Sequence, residues 1–98
     1  MKKTMDALVR FRDARDWKQF HTPDNLAKSI VIEAAELLEH FQWDLEPDLE
    51  AVKDEVADVL AYALMLCERY GFDPETIVLD KMEKNAKKYP LRRKENQS

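Results

Sequence analysis

The sequence is poor in residues that interrupt helices and in residues that build disulfide or zinc sites. Its 98 residues include one glycine, four prolines, one cysteine and two histidines. The lone Cys67 has no partner for an intramolecular disulfide, and no set of histidines and cysteines stands at zinc-binding spacing. These absences exclude a disulfide-stabilised domain and a structural zinc domain, and they favour a chain that is helical almost throughout.

Long apolar runs and a surplus of positive charge are also missing. No apolar run reaches the ~20 residues of a membrane span, so no membrane segment is predicted. Lysine and arginine number 16 against 20 acidic residues, which argues against a broad basic face for a nucleic-acid polymer. The N-terminal residues lack the continuous apolar segment of a secretory signal, and together with the single cysteine this predicts a cytoplasmic protein.

What remains is helix-forming sequence with prolines where helices begin. Pro23, Pro47 and Pro74 mark three starts, and Gly71 marks an end. Apolar residues at helical spacing near the N-terminus add a further helix. The predicted helices cover residues 5–17, 23–42, 47–70 and 74–88.

Capping side chains support these starts. Thr22 and Asp73 directly precede two of the prolines and can accept hydrogen bonds from first-turn amides. The start at Pro47 has the weakest signal, with Asp44 or Glu46 as its candidate cap.

The predicted fold class is all-α, a small helical bundle of about four helices. Residues 1–90 form a single predicted domain, and residues 91–98 form a polar C-terminal tail. Because a chain of this length buries only a modest core, we expect homo-oligomerisation to complete the bundle.

Two predicted helices carry the same acidic pair beside an apolar stripe. At ~100° per residue, Glu33 lies at the edge of the stripe of the second helix, with Glu36 about 60° further out. Glu55 and Asp58 repeat this layout on the third helix. If these helices pack as an antiparallel hairpin on their stripes, the four carboxylates border one groove.

Four clustered carboxylates repel one another and need a counter-charge or raised pKa values. All-oxygen ligation favours Mg²⁺ or Mn²⁺, and Mg²⁺ typically meets its protein ligands together with substrate phosphates. The spacing alone leaves both a metal site and a solvated acidic face open, because acidic pairs three apart recur along the chain. A di-iron site is disfavoured because neither Glu33 nor Glu36 has a histidine three residues on. His40, on the polar side, is predicted to be solvated.

Three stretches between residues 6 and 90 carry a family pattern. They read RDWKQFHTPDNLAKSIVIEAAELLEHFQW, DEVADVLAYAL and KMEKNAKKYP. Together they resemble the MazG-type, all-α nucleoside triphosphate pyrophosphohydrolases, in particular the dCTP pyrophosphatase-like branch. The resemblance implies a hydrolase that converts a nucleoside triphosphate, such as dCTP or 5-methyl-dCTP, to monophosphate and pyrophosphate and so cleanses the nucleotide pool. It also implies a homo-oligomer, a dimer or a dimer of dimers, and among these we favour a homotetramer.

The resemblance gives roles to the carboxylates. They would hold Mg²⁺, with Mn²⁺ as a substitute, against the triphosphate; the set is Glu33, Glu36, Glu55 and Asp58. Glu33 or Glu36 would also act in catalysis by orienting or deprotonating the attacking water.

The resemblance also implies substrate-binding residues. Around the base these are Trp17, His21 and Trp43, and near the deoxyribose Tyr62. Lys81 and Asn85 match residues that reach the phosphates, from a neighbouring subunit in some arrangements. Leu8 departs from the pattern, because some close relatives carry a histidine there, and this weakens the implied base preference.

Without the resemblance, the same residues can be interpreted as having purely structural roles. Trp17, Trp43 and Tyr62 also suit core or dimer-interface packing, and His21 also suits a role in the turn before Pro23. The whole chain would then be a non-catalytic helical-hairpin module that dimerises through its apolar stripes. Such a module would bind no complex of Mg²⁺ with a nucleotide.

Overall fold

The computed structural model describes residues 1–43 and 46–91. Its elements are α1 (Lys2–Ala14), a 3₁₀ turn (Lys18–Phe20), α2 (Pro23–Gln42), α3 (Leu49–Tyr70) and α4 (Pro74–Lys88). No strand occurs in the described residues, and the predicted all-α class is confirmed. None of the helices within these residues has the length and apolar character needed to cross a bilayer.

Local capping chemistry sets three of the helix boundaries that the sequence predicts. The Thr22 hydroxyl accepts a hydrogen bond from the Asn25 amide at 3.4 Å, and the Asp73 carboxylate accepts one from the Thr76 amide at 3.0 Å. Gly71 ends α3 with φ +71°, a left-handed conformation that glycine adopts without steric cost. The start of α2 and both sides of the α3–α4 turn are therefore as predicted.

The first helix begins and ends about three residues earlier than the predicted 5–17. Asp16 takes a left-handed conformation with φ 55°, and its amide donates to the Asp13 carbonyl at 3.1 Å. The Trp17 amide donates to the Arg12 carbonyl at 3.1 Å. This pair of bonds is a Schellman-type helix end, which places Trp17 outside α1.

The third helix begins at Leu49 and not at Pro47. Asp48 is its N-cap, because the Asp48 carboxylate accepts a hydrogen bond from the Glu50 amide at 3.1 Å. The prediction of Glu46 as the cap was therefore wrong. The other predicted cap, Asp44, lies outside the described residues. Of the predicted C-terminal tail, only Leu91 is described.

The helices form a hairpin with a third helix beside it. α2 and α3 make the main packing contact, α1 packs more lightly on α3, and α4 extends away from them. The buried apolar core is small in the described residues: Leu26 of α2, and Leu64 and Met65 of α3. The dimensions, 59 × 37 × 24 Å, are those of an open rather than a closed bundle.

Candidate active site

Three carboxylates meet where α2 packs on α3. Glu33 comes from α2, and Glu55 and Asp58 come from one face of α3, three residues apart. One oxygen of each lies within 4.8 Å of one oxygen of the other two. Glu36 lies beside Glu33 but is not a member of this group. The structure thus brings three of the four predicted carboxylates together and keeps the fourth next to them.

The cluster is under electrostatic strain without a counter-charge. Two unit negative charges at this separation repel by roughly 3 kcal/mol at an intermediate dielectric. Oε2 of Glu33 and Oε2 of Glu55 are buried and have no hydrogen-bond partner. Burial, and then the neighbouring carboxylates of Glu55 and Glu36, raise the pKa of Glu33 to about 7. A proton therefore relieves part of the repulsion near neutral pH.

The same atoms fit a hard divalent cation. Carboxylate oxygens are the ligands that Mg²⁺ and Mn²⁺ prefer, and both unpartnered oxygens belong to the cluster. His40 also reaches this region: its Nε2 lies 3.8 Å from Oε1 of Glu55, and its side chain is 30% exposed. The solvated position predicted for His40 is therefore replaced by a half-buried one that faces Glu55.

A cavity of about 760 Å³ opens next to the cluster. Its walls come from α1, the 3₁₀ turn and α3, and they include the predicted residues Trp17, His21 and Tyr62. Asp58 lines this cavity and also belongs to the carboxylate cluster. The volume lies in the range of small-molecule sites. Asp58 thus joins an acidic site to a largely apolar, aromatic one.

The aromatic groups of the cavity contact one another. Trp17 lies edge-to-face with Phe11, with ring centroids 5.7 Å apart, and 6.4 Å from the His21 ring. Nδ1 of His21 is buried without a hydrogen-bond partner. Burial lowers the pKa of His21, and the positive charges of Arg12 and Arg69 lower it further. The imidazole is therefore neutral at neutral pH and offers its nitrogens for hydrogen bonding.

Three predicted site residues lie away from the cavity within one copy of the chain. Trp43 follows the end of α2 and is 88% exposed. Lys81 and Asn85 line a shallow groove on α4 with apolar neighbours of the same helix. Their assignment to the base and to the phosphates stays a prediction.

Several cavity residues went unnoticed in the sequence. On α1 they include Phe11 and Arg12, and beyond it Phe20 and Met65. Helical spacing could have identified part of the α1 wall, because Thr4, Leu8 and Phe11 stand at i, i+4 and i+7 and so share one face of the helix. The burial of Arg12 has no such signal, since it depends on a partner in a distant helix.

The raised pKa of Glu33 predicts a pH dependence for the metal-free protein. The unfolded chain releases this proton near the ordinary pKa of 4.5, whereas the folded protein keeps it to about 7. Between these values the folded state binds more protons, so rising pH lowers the free energy of unfolding, and the loss is complete above about 7. Glu33→Gln removes this contribution.

Denaturant unfolding with a chelator present, from below pH 4.5 to above pH 7, measures the effect. We expect the wild-type stability to fall relative to that of Glu33→Gln across this window and to run parallel above it. Parallel curves throughout would show that Glu33 titrates normally.

Comparisons with known proteins agree with this architecture. The MazG-like family matches residues 28–98. dCTP pyrophosphatase 1 of Rattus norvegicus is 40% identical over 93 residues, which is 85% of this chain and 55% of the relative. The human protein of the same name is 40% identical over 92 residues, covering 84% and 54%. The chain thus spans about half the length of these curated relatives.

One solved structure matches over nearly its full length. It is the crystal structure of a pyrophosphatase from Archaeoglobus fulgidus, with a TM-score of 0.84 and 48% sequence identity. The alignment covers 93% of this chain and 93% of that one. The helical arrangement described above is therefore shared with a protein of similar size.

Proposed function

Because this chain belongs to the MazG-like family, we propose that it is a nucleoside triphosphate pyrophosphohydrolase that uses Mg²⁺. The observation that carries the proposal is the double position of Asp58, in both the carboxylate cluster and the aromatic cavity. The two ends of a nucleotide match these two parts of the site. Its phosphates need a cation, and its base stacks on aromatic rings. The similarity to dCTP pyrophosphatases over most of this chain supports the same reaction.

In the proposed reaction, water attacks the α-phosphorus and the bond from that phosphorus to the oxygen bridging the β-phosphate breaks. The products are a nucleoside monophosphate and pyrophosphate. When bound, Mg²⁺ supplies a positive charge that offsets the charge developing on the phosphates. Glu33, Glu55 and Asp58 would hold it, with Glu36 beside them. Either Glu33 or Glu36 accepts a proton from the attacking water.

The proposed substrate is dCTP or a modified dCTP such as 5-methyl-dCTP. Trp17 offers a ring on which a base stacks, and the neutral His21 offers a hydrogen-bonding nitrogen that lacks a partner. Tyr62 lies one turn after Asp58 on α3, where it can contact the sugar between base and phosphates. Leu8 makes the α1 wall of the cavity apolar where some close relatives carry a histidine, so the proposed base preference rests on Trp17 and His21. We place the activity in nucleotide-pool cleansing in the cytoplasm.

We further propose that the working form is a homo-oligomer, with a dimer of dimers as the favoured state. Large apolar side chains stand more than half exposed along α2 and α4, including Val31, Leu38 and Met82. Repeated exposure of large apolar side chains is typical of an interface. α4 packs little on the rest of its own chain, so a partner is the natural place for Lys81 and Asn85 to reach phosphates.

The oligomer predicts a response to charge on the apolar surface. Val31→Lys combined with Leu38→Lys buries two ammonium groups if that face is an interface, and we expect dissociation to a smaller species in light scattering coupled to size exclusion. Glu39→Lys is the matched control, because it adds a lysine to an exposed position on the polar side of the same helix. An unchanged mass for the double variant would show that this face of α2 is not part of the interface.

Product analysis tests the proposed function directly. The purified protein is incubated with Mg²⁺ or Mn²⁺ and, separately, each common nucleoside triphosphate and 5-methyl-dCTP. We expect monophosphate and pyrophosphate, most rapidly from a cytosine deoxynucleotide. Turnover of a different base would keep the reaction and discard the proposed base preference. Absence of turnover by folded, oligomeric protein would favour the non-catalytic helical-hairpin module.

A further inference from the structure

One charged side chain is buried where apolar packing is the norm. Arg12 is 3% exposed, and it is the only fully buried residue of α1 within the described part of the chain. Its Nη1 donates to Oε2 of Glu68 at 2.8 Å, and its Nε donates to Oδ1 of Asp13 at 2.9 Å. Glu68 lies on α3, so this ion pair, buried at Arg12 and partly exposed at Glu68, connects two helices.

An ion pair made by an arginine is a directional contact, unlike apolar packing. The planar guanidinium requires its acceptors at fixed angles, whereas apolar side chains slide past one another at little cost. Because no apolar residue of α1 is fully buried, sliding is otherwise weakly opposed. The pair with Glu68 therefore sets how far along α3 the end of α1 lies.

The backbone of Arg12 extends this control to the cavity. Its carbonyl accepts the Trp17 amide at 3.1 Å in the bond that closes α1. The Trp17 carbonyl in turn accepts the Phe20 amide at 2.9 Å. Trp17 and Phe20 both line the cavity. Arg12 is thus joined to α3 by its side chain and to the aromatic wall by its main chain.

We propose that Arg12 is a positioning residue, whose ion pair with Glu68 fixes the end of α1 on α3 and thereby places Trp17 in the nucleotide cavity. Arg12 itself has little surface left for a substrate, since its side chain is 3% exposed and bonded on two sides. The carboxylate cluster comes from α2 and α3, so it does not depend on where α1 lies. Loss of the pair should therefore affect base binding and spare the metal site.

Two independent readouts test this inference. The kinetic one rests on the proposed function: Arg12→Met and Glu68→Gln should each raise KM for the nucleotide on the order of 10-fold, with kcat and the Mn²⁺ dissociation constant changed less than about 2-fold. Arg12→Lys should give an intermediate KM, because an ammonium keeps the charge without the fork. Lys53→Met, which removes the exposed pair of Lys53 with Glu50 on α3, is the control and should match wild type.

The second readout needs no turnover. In a Trp43→Phe background, Trp17 is the sole tryptophan, and its emission and acrylamide quenching report its surroundings. Because Trp17 is already 42% exposed, adding Arg12→Met or Glu68→Gln should red-shift the emission and increase the quenching by at most about 2-fold, while helicity stays the same. If Arg12→Met does not fold, Glu68→Gln alone tests the positioning role, because Glu68 is partly exposed and tolerates the change more easily.

The outcomes separate the two proposals. Unchanged Trp17 fluorescence in folded Arg12→Met and Glu68→Gln overturns the positioning role. So does a fall in kcat with KM unchanged, which would place Arg12 in the chemical step. Altered fluorescence in a protein that turns over no nucleotide keeps the positioning role and rejects the pyrophosphohydrolase.

Discussion

Asp58→Asn is expected to lower kcat/KM by on the order of 10³-fold or more. Asparagine keeps the size of the side chain and removes one negative charge from the group of three carboxylates. A metal ion supplies several kcal/mol of charge stabilisation in phosphoryl chemistry, and each 1.36 kcal/mol corresponds to a factor of ten in rate. Because Asp58 also lines the cavity, its loss disturbs the point at which cation and nucleotide meet in the proposed function.

The same variant should gain stability when no metal is present. Removing one of three carboxylates that lie within 4.8 Å relieves repulsion, so the chelator-treated variant should melt at or above the wild-type temperature. We expect Mg²⁺ and dCTP together to raise the melting temperature of the wild type, and we expect this rise to be absent in the variant.

A control on the same helix separates charge from position. Asp54→Asn makes the identical chemical change at an exposed site one turn earlier on α3, and both turnover and the metal response should stay at wild-type values. Full activity in Asp58→Asn would refute the proposed metal centre.

Trp17→Ala is expected to raise KM about 5- to 150-fold with a much smaller change in kcat. The range follows from the ~1–3 kcal/mol that stacking of a base on an aromatic ring contributes, with 1.4 kcal/mol per factor of ten. In the proposed arrangement the reacting phosphates lie at the carboxylates, so the chemical step should be affected less. Trp17→Phe keeps a ring and should recover part of the loss.

Tyr70→Ala is the comparison for Trp17→Ala. Tyr70 is an exposed aromatic residue that stacks on Phe72 outside the cavity, with ring centroids 5.4 Å apart. We expect it to leave KM unchanged. If Trp17→Ala lowers the melting temperature but leaves KM unchanged, Trp17 is a packing residue, as its aromatic character alone also suggested.

The parts of the fold that the sequence predicts are those set by neighbouring residues. The start of α2 follows from Thr22 and Pro23, and the end of α3 from Gly71, because caps act within one turn. The end of α1 was predicted incorrectly since its left-handed residue is Asp16 and not glycine. Asparagine and aspartate adopt this conformation only occasionally, and nothing local marks this instance.

In the candidate site, too, one part was predictable from the sequence and another was not. Helical spacing places Glu33 on α2 beside Glu55 and Asp58 on α3, because a short connection makes these helices antiparallel neighbours. The cavity depends instead on the position of α1, which is set by the contact of Arg12 with Glu68, 56 residues away. A charged residue in a helix is ordinarily read as solvent-facing, so periodicity gave no indication of this contact.

The separate origin of the two halves of the site has a consequence for protein engineering. α1 contributes one wall of the cavity but no member of the carboxylate cluster. Apart from the buried Arg12, its contributing side chains occupy one face of a single helix, so a small combinatorial library covers them: Thr4, Ala7, Leu8 and Phe11. Under the proposed function, selection from that library would change which nucleotide is bound, while every variant would keep the same carboxylate cluster.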